Sequence, residues 1–306
     1  MKRKNNLFKV LALSFVGAFV FGAACTPDDS SSSGVEYVPH WNDDGVLKIL
    51  AIGNSFSEDA IENLYQMAQA AGIEQIELGH LYIGGCSLET HLQNISYNLP
   101  QYRYSSKIGD DVWRTTLYNK PSVAFTANDW DFVTIQQNSN NSGVASTYDD
   151  VNPLLDAIET QCTNEHVAFA WHMTWAYQQD TDHTAFPTYN SNQMTMYNAI
   201  VGAVQEKIVT NNRIVKIIPS GTAIQNARTS YLGDTLTRDG YHLSLTQGRL
   251  IASASYLASL VDVDWDSVDL SSISDDADFV KVLKESVKNA VETPFRVTSS
   301  TITEKE

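Results

Sequence analysis

The run Val46-Leu47-Lys48-Ile49-Leu50-Ala51-Ile52-Gly53 constrains this chain more than any other stretch. It is almost continuously apolar, where a strand with one wet face would alternate. A strand of this kind is covered on both faces, as strands are in parallel sheets flanked by helices. The pattern that follows agrees. From about Glu58 to Ala71 apolar residues recur at helical spacing, with Ile61, Leu64, Tyr65 and Ala68 on one face and Gly72 as a stop. Further strands are predicted at Ile76–Tyr82, Asp131–Gln136, His166–Trp171 and Arg213–Ile218, with helices over Val151–Cys162, Gln193–Val209 and Ser244–Leu260. Strands alternating with helices predict an α/β fold, a three-layer α/β/α sandwich with a central parallel sheet. Such a sheet binds ligands beyond the carboxyl ends of its strands. The irregular, aromatic stretch between Asn98 and Asn128 is read as an insertion beside the active site. Beyond 262, a helical pattern over Asp275–Val291 carries no recognisable chemistry and reads as a packing or surface element.

The N-terminus reads as an export address. Lys2-Arg3-Lys4 forms a basic start, and Val10 to Ala24 is apolar but short for a membrane span. The close, Phe21-Gly22-Ala23-Ala24-Cys25, resembles a bacterial lipoprotein cleavage box in which the Cys25 thiol takes the lipid. Thr26-Pro27-Asp28-Asp29 and the serines after it form a polar leash. Acidic residues behind the cysteine resemble the surface-export signal of some Gram-negative lipoproteins. The expected organisation is a signal peptide over 1–24, a tether over 25–45, a catalytic domain over 46–262 and a partly helical extension over 263–306. The expected location is the outer membrane or cell surface of a Gram-negative bacterium, held through the lipid anchor. A formal net charge of −16 repels phosphate backbones, so nucleic acid is not an expected partner.

Two stretches carry the elements of nucleophilic catalysis. Gly53-Asn54-Ser55-Phe56-Ser57 joins the first strand to the first helix, where free backbone N–H groups stabilise negative charge. A serine in this place is also an ordinary helix cap. Asp239-Gly240-Tyr241-His242 lies ahead of the last long helix of the sheet region. Its spacing lets the carboxylate fix one imidazole nitrogen and leave the other free to take a hydroxyl proton.

Together, in this order and strand context, the two stretches resemble the GDS and DxxH blocks of the SGNH/GDSL hydrolases, with Asn54 in place of the usual Asp. Most of the chain, from about Leu47 to Leu260, is similar to that superfamily, in a branch of poorly characterised exported lipoproteins. The resemblance implies the flavodoxin-like SGNH fold and a serine esterase in which Ser55 is nucleophile, His242 general base then acid, and Asp239 its orienter. It also implies an oxyanion hole built from a glycine N–H after the second strand and an asparagine side chain after the third. Gly85 fits the former, with Gly84 as fallback. For the latter the chain reads Gln136-Gln137-Asn138-Ser139-Asn140-Asn141, so Asn140, by distance, and Gln137, by chemistry, are both candidates.

Trp171, Trp175 and Tyr177 follow the fourth predicted strand on the catalytic edge, where flat aromatic side chains could stack on sugar rings or simply fill the core. His172 and His183 have no accompanying set of ligands at metal spacing, so neither metal nor cofactor is expected. The expected substrate is an acylated poly- or oligosaccharide, with acetyl the leading acyl group. A lipase or thioesterase, or a glycan-binding lipoprotein that has lost turnover, are the rival readings.

Overall fold

The computed structural model describes residues 44–305. The predicted signal segment, Cys25 and all of the tether except Asp44 and Gly45 lie outside the described residues.

The strands are β1 (Leu47–Gly53), β2 (Ile76–Tyr82), β3 (Tyr102–Lys107), β4 (Arg114–Asn119), β5 (Phe132–Ile135), β6 (Ala168–His172) and β7 (Ile214–Ile218). They form one sheet in the order β4-β3-β2-β1-β5-β6-β7. From β2 to β7 all neighbours are parallel, while β3 and β4 add an antiparallel edge. Every residue of β1 and of β5 is buried, as their unbroken apolar character requires.

The helices are α1 (Ser55–Ile61), α2 (Leu64–Ala70), α3 (Leu88–Ser96), α4 (Pro121–Phe125), α5 (Val151–Glu159), α6 (Gln193–Lys207), α7 (Ser220–Ala227), α8 (Gln247–Leu260) and α9 (Ala277–Glu292). Two layers cover the sheet. In one, α1 and α2 pack on α8, which packs on α7 and α9; in the other, α3 packs on α4 and α5, and the short helical turn Ala145–Tyr148 links α3 to α6. This is the α/β sandwich expected, with a mostly parallel sheet.

Two expectations change and one open alternative is decided. The single helix expected over Glu58–Ala71 is two, broken at Glu62-Asn63, and α1 begins earlier, at Ser55. The stretch from Asn98 to Asn128 does not flank the site. Most of it becomes β3, β4 and α4, because Tyr102 and Tyr104 alternate inward and β3 pairs with β2 at the sheet edge. The helical stretch expected near the C-terminus as a packing or surface element is a packing element: Phe279, Val282, Leu283, Val287 and Ala290 of α9 are buried at helical spacing against α7 and α8. That packing braces α8, which reaches the site.

Candidate active site

Sheet order reverses at β1, with β2 on one side and β5 on the other, so the loops leaving these three strands part at their carboxyl ends. A cavity of about 270 Å³ opens there, lined by Asn54, Ser55 and Phe56 after β1, Gly85 after β2, Asn138, Ser139 and Asn140 after β5, and by His183, Tyr241 and His242.

Asn54 caps α1, its Oδ1 accepting the Phe56 N–H at 3.0 Å. This cap leaves Ser55 as the first helical residue, half-buried at the cavity. Gly53 is required by proximity: a Cβ there would sit 2.6 Å from Ser57 Oγ. Ser55 Oγ lies 2.8 Å from His242 Nε2, and His242 Nδ1 lies 2.6 Å from Asp239 Oδ2. The carboxylate accepts the Nδ1 proton, so Nε2 is bare and accepts from the serine hydroxyl. Burial disfavours the Asp239 carboxylate, but hydrogen bonds from the His242 ring and from the N–H groups of His242 and Tyr241 outweigh it and hold the carboxyl below its ordinary value. Sequence reading named all three residues, and the fold brings them into one chain of hydrogen bonds.

The loop carrying His242 is fixed from several sides. Asp239 Oδ1 accepts the His242 N–H at 2.8 Å, and Trp175 Nε1 donates to the Tyr241 carbonyl at 2.8 Å. Gly240 has φ +89°, and a Cβ would meet Thr181 Oγ1 at 2.5 Å, so both conformation and space demand glycine. The strongest tie is one the sequence reading missed. Asp59 of α1 is fully buried and accepts from Arg238 Nη1 at 3.0 Å, Arg249 Nε at 2.8 Å and the Leu243 N–H at 2.9 Å. It joins the helix that bears Ser55 to the loop that bears His242 and to α8. A signal was present: Asp59 falls on the face of Phe56 and Ala60, an acid on an apolar stripe, and such an acid is buried only with partners.

The side of the cavity where the resemblance implies an oxyanion hole is built by the loops after β2 and β5. Gly85 borders the cavity, and among the described residues its N–H meets no protein acceptor, while its carbonyl accepts from Asn138 Nδ2 at 2.9 Å. The neighbouring Cys86 carbonyl is held by Asn54 Nδ2 at 3.2 Å. Gln137, one of the two expected side-chain donors, is turned away: its amide donates to the Thr147 carbonyl and hydroxyl at 2.9 and 3.0 Å, and its oxygen accepts the Leu88 and Asn138 N–H groups. Asn140, the other, borders the cavity, with its Oδ1 accepting from Tyr177 Oη at 3.2 Å. Asn138, quoted in the motif without a role, borders the cavity too and keeps a second amide hydrogen beyond the one given to Gly85.

The expected aromatic rim is corrected. Trp171 packs under Tyr148 within the core, Trp175 stacks on Phe56 with centroids 4.4 Å apart, and Tyr177 donates to Ser139 Oγ at 2.8 Å; all three are buried. Met196 and Gln193 of α6 and Phe186 of the turn Phe186–Tyr189 close on Tyr177, which turns that ring into support. Tyr241 and His183 form the aromatic wall instead.

Burial pushes the Cys86 thiol up to about 12, which leaves it unreactive, and neither Cys86 nor Cys162 is in a disulfide. Among the described residues no group of three or more His, Cys, Asp or Glu side chains could hold a metal. A larger cavity of about 530 Å³ lies by α8 and α9, lined by Lys216, Trp265 and Lys288 among others, with no histidine in its wall.

A family model described as a domain of unknown function, DUF4886, matches residues 48–285. A crystal structure of a DUF4886 family protein from Bacteroides uniformis is 39% identical, with a TM-score of 0.79 over 84% of this chain and 98% of that one. A protein from Slackia heliotrinireducens described by inference as an SGNH hydrolase shares 16% identity, with a TM-score of 0.42, covering 71% of this chain and 100% of its own. A lipase from a goat rumen metagenome shares 13%, with a TM-score of 0.42, covering 69% and 95%. No curated protein matches the chain.

Proposed function

This chain belongs to the DUF4886 family, and we propose that it is a serine hydrolase that removes small acyl groups, acetyl above all, from carbohydrate hydroxyls through an acyl-enzyme. One observation carries the reading: the Ser55 hydroxyl, 2.8 Å from an imidazole nitrogen whose partner nitrogen is held by Asp239, sits in an open cavity.

Ser55 Oγ attacks the ester carbonyl as His242 Nε2 takes its proton. The oxygen that gains charge is met by the Gly85 and Ser55 N–H groups and by the Asn138 or Asn140 carboxamide. The ester C–O bond breaks, the alcohol leaves with the proton from His242, and the acyl group stays on Ser55. Water, deprotonated by His242, then releases the acid and restores the serine. The modest cavity volume and its uncharged polar wall suit an acetyl group and leave no groove for a long acyl chain.

The test is acetate release from a panel of acetylated glycans and from p-nitrophenyl acetate by the purified protein, with Ser55→Ala and His242→Ala alongside. Activity that both substitutions abolish supports the proposal. Binding of glycan without any release would instead favour a non-catalytic lectin-like role. The proposal includes export and anchoring through Cys25; fatty-acid labelling of the protein in cells, lost in Cys25→Ser, checks that part.

A further inference from the structure

The cavity wall holds hydrogen-bond donors that the chemistry above leaves unused, and the His183 ring is one of them. His183 borders the cavity, and its Nδ1 accepts the Ala185 N–H at 3.1 Å. A nitrogen that accepts carries no hydrogen, so the neutral ring bears its proton on Nε2. Nε2 has no protein partner among the described residues. The ring is held edge-on against Tyr241 with centroids 4.6 Å apart, and against Tyr177 at 4.4 Å. Tyr241 in turn lies 4.2 Å from His242, centroid to centroid. This donor therefore belongs to the same stretch of cavity wall as His242, linked to it through the Tyr241 ring, and His242 is the residue that delivers a proton to the departing alcohol.

We propose that His183 is a specificity-determining donor for the alcohol half of the substrate, its Nε2–H bonding a free hydroxyl next to the ester, so that the site selects acyl groups carried by an uncharged, polyhydroxylated alcohol such as a sugar ring. The proposal rests on the hydrolase reading above and adds to it which residue reads the alcohol. Two further features favour a neutral partner. The cavity is lined by no lysine or arginine that would meet a phosphate or carboxylate on the leaving group. His183 itself stays uncharged: burial, then the neighbouring His242, lower its proton affinity against the opposing pull of Asp182 and Asp239, and a charged ring would have to give up its bond from Ala185.

The experiment compares kcat/KM for three esters: p-nitrophenyl acetate, a mono-O-acetylated methyl glycoside with a free hydroxyl beside the ester, and its deoxy analogue lacking that hydroxyl. The native protein is expected to prefer the hydroxylated glycoside over the deoxy analogue by about tenfold. His183→Phe, which keeps a ring against Tyr241, should erase that preference, and should lose about tenfold more on the hydroxylated glycoside than on p-nitrophenyl acetate. His183→Gln, which restores an N–H donor, should recover much of the preference. Equal turnover of the two glycosides by the native protein overturns the proposal without any variant being needed. So does a preference that survives His183→Phe, or an equal loss on all three esters. The hydrolase reading fails separately, and takes this proposal with it, if p-nitrophenyl acetate hydrolysis is absent or persists in Ser55→Ala.

Discussion

Helix α1 carries two serine–histidine pairs, one on each side, and the donor–acceptor distance is the same in both. On the cavity side Ser55 Oγ lies 2.8 Å from His242 Nε2; on the core side Ser57 Oγ lies 2.8 Å from His80 Nε2. The direction of the proton separates them. Ser57 donates to the Asn54 carbonyl at 2.7 Å, so it accepts from His80, whose Nε2 must carry a hydrogen and is no base. Ser55 faces a bare nitrogen because Asp239 holds the proton on the other side of the ring. Both members of the inner pair are buried, and although His80 borders a separate cavity of about 120 Å³, Ser57 does not line it. The outer pair opens on the cavity described above with both its members in the wall. Proximity of a hydroxyl to an imidazole is therefore no sign of a nucleophile until the tautomer is known.

The sharpest way to break this contrast is to remove each serine in turn. Ser55→Ala should cost at least about a thousandfold in acetate release, while Ser57→Ala stays within about tenfold. The reverse result, read in the same assay, would exchange the two roles. Next in size is Asp239→Asn, which lets the outer ring adopt the tautomer of the inner one; a loss of about a hundred- to ten-thousandfold in kcat is expected with the fold intact by circular dichroism.

Asp59→Asn tests what holds the outer pair together. It leaves Arg238 and Arg249 beside a neutral partner in a buried place, and should lower unfolding free energy in urea by about 3–5 kcal/mol. Activity should fall as the His242 loop loosens.

The smallest effect concerns the inner pair. Burial, with Arg103 and His91 nearby, lowers the His80 pKa to about 3, below the 6.5 of an unfolded chain. The folded state then binds fewer protons than the unfolded one between these values. The stabilisation is complete above pH 6.5 and is lost as pH falls toward 3. At pH 5 this is on the order of 1–2 kcal/mol relative to pH 7. Urea titrations at the two pH values should show His80→Gln losing less on acidification than the native protein. His91 and His172, also buried and lowered to about 4 and about 3, add to the slope in both proteins.

Much of this was legible in the sequence because it is local. The apolar run of β1, the serine after it and the Asp-x-x-His spacing each work within a few residues of chain. What escaped reading depends on partners far away. Gln137 and Asn138 are adjacent amides, and only the packing of Thr147 and Leu88 around the first decides that the second faces the cavity. Trp175 and Tyr177 follow a strand on the catalytic edge, yet Phe56 of α1 stacks on the first, and Met196 of α6 and Phe186 close on the second. Tyr102 and Tyr104 did alternate as a strand should, but an edge hairpin reads much like an irregular loop until its neighbour β2 is known.

The clasp at Asp59 has a consequence for when the protein becomes able to act. Ser55 and His242 stand 187 positions apart, and nothing local brings them together. A ribosome delivers the hydroxyl early and the imidazole late, and the two meet in the same fold that closes Leu243, Arg238 and Arg249 on the buried carboxylate. An incomplete or still-threading polypeptide thus holds Ser55 without its imidazole, and the pair is complete only in the finished tertiary structure.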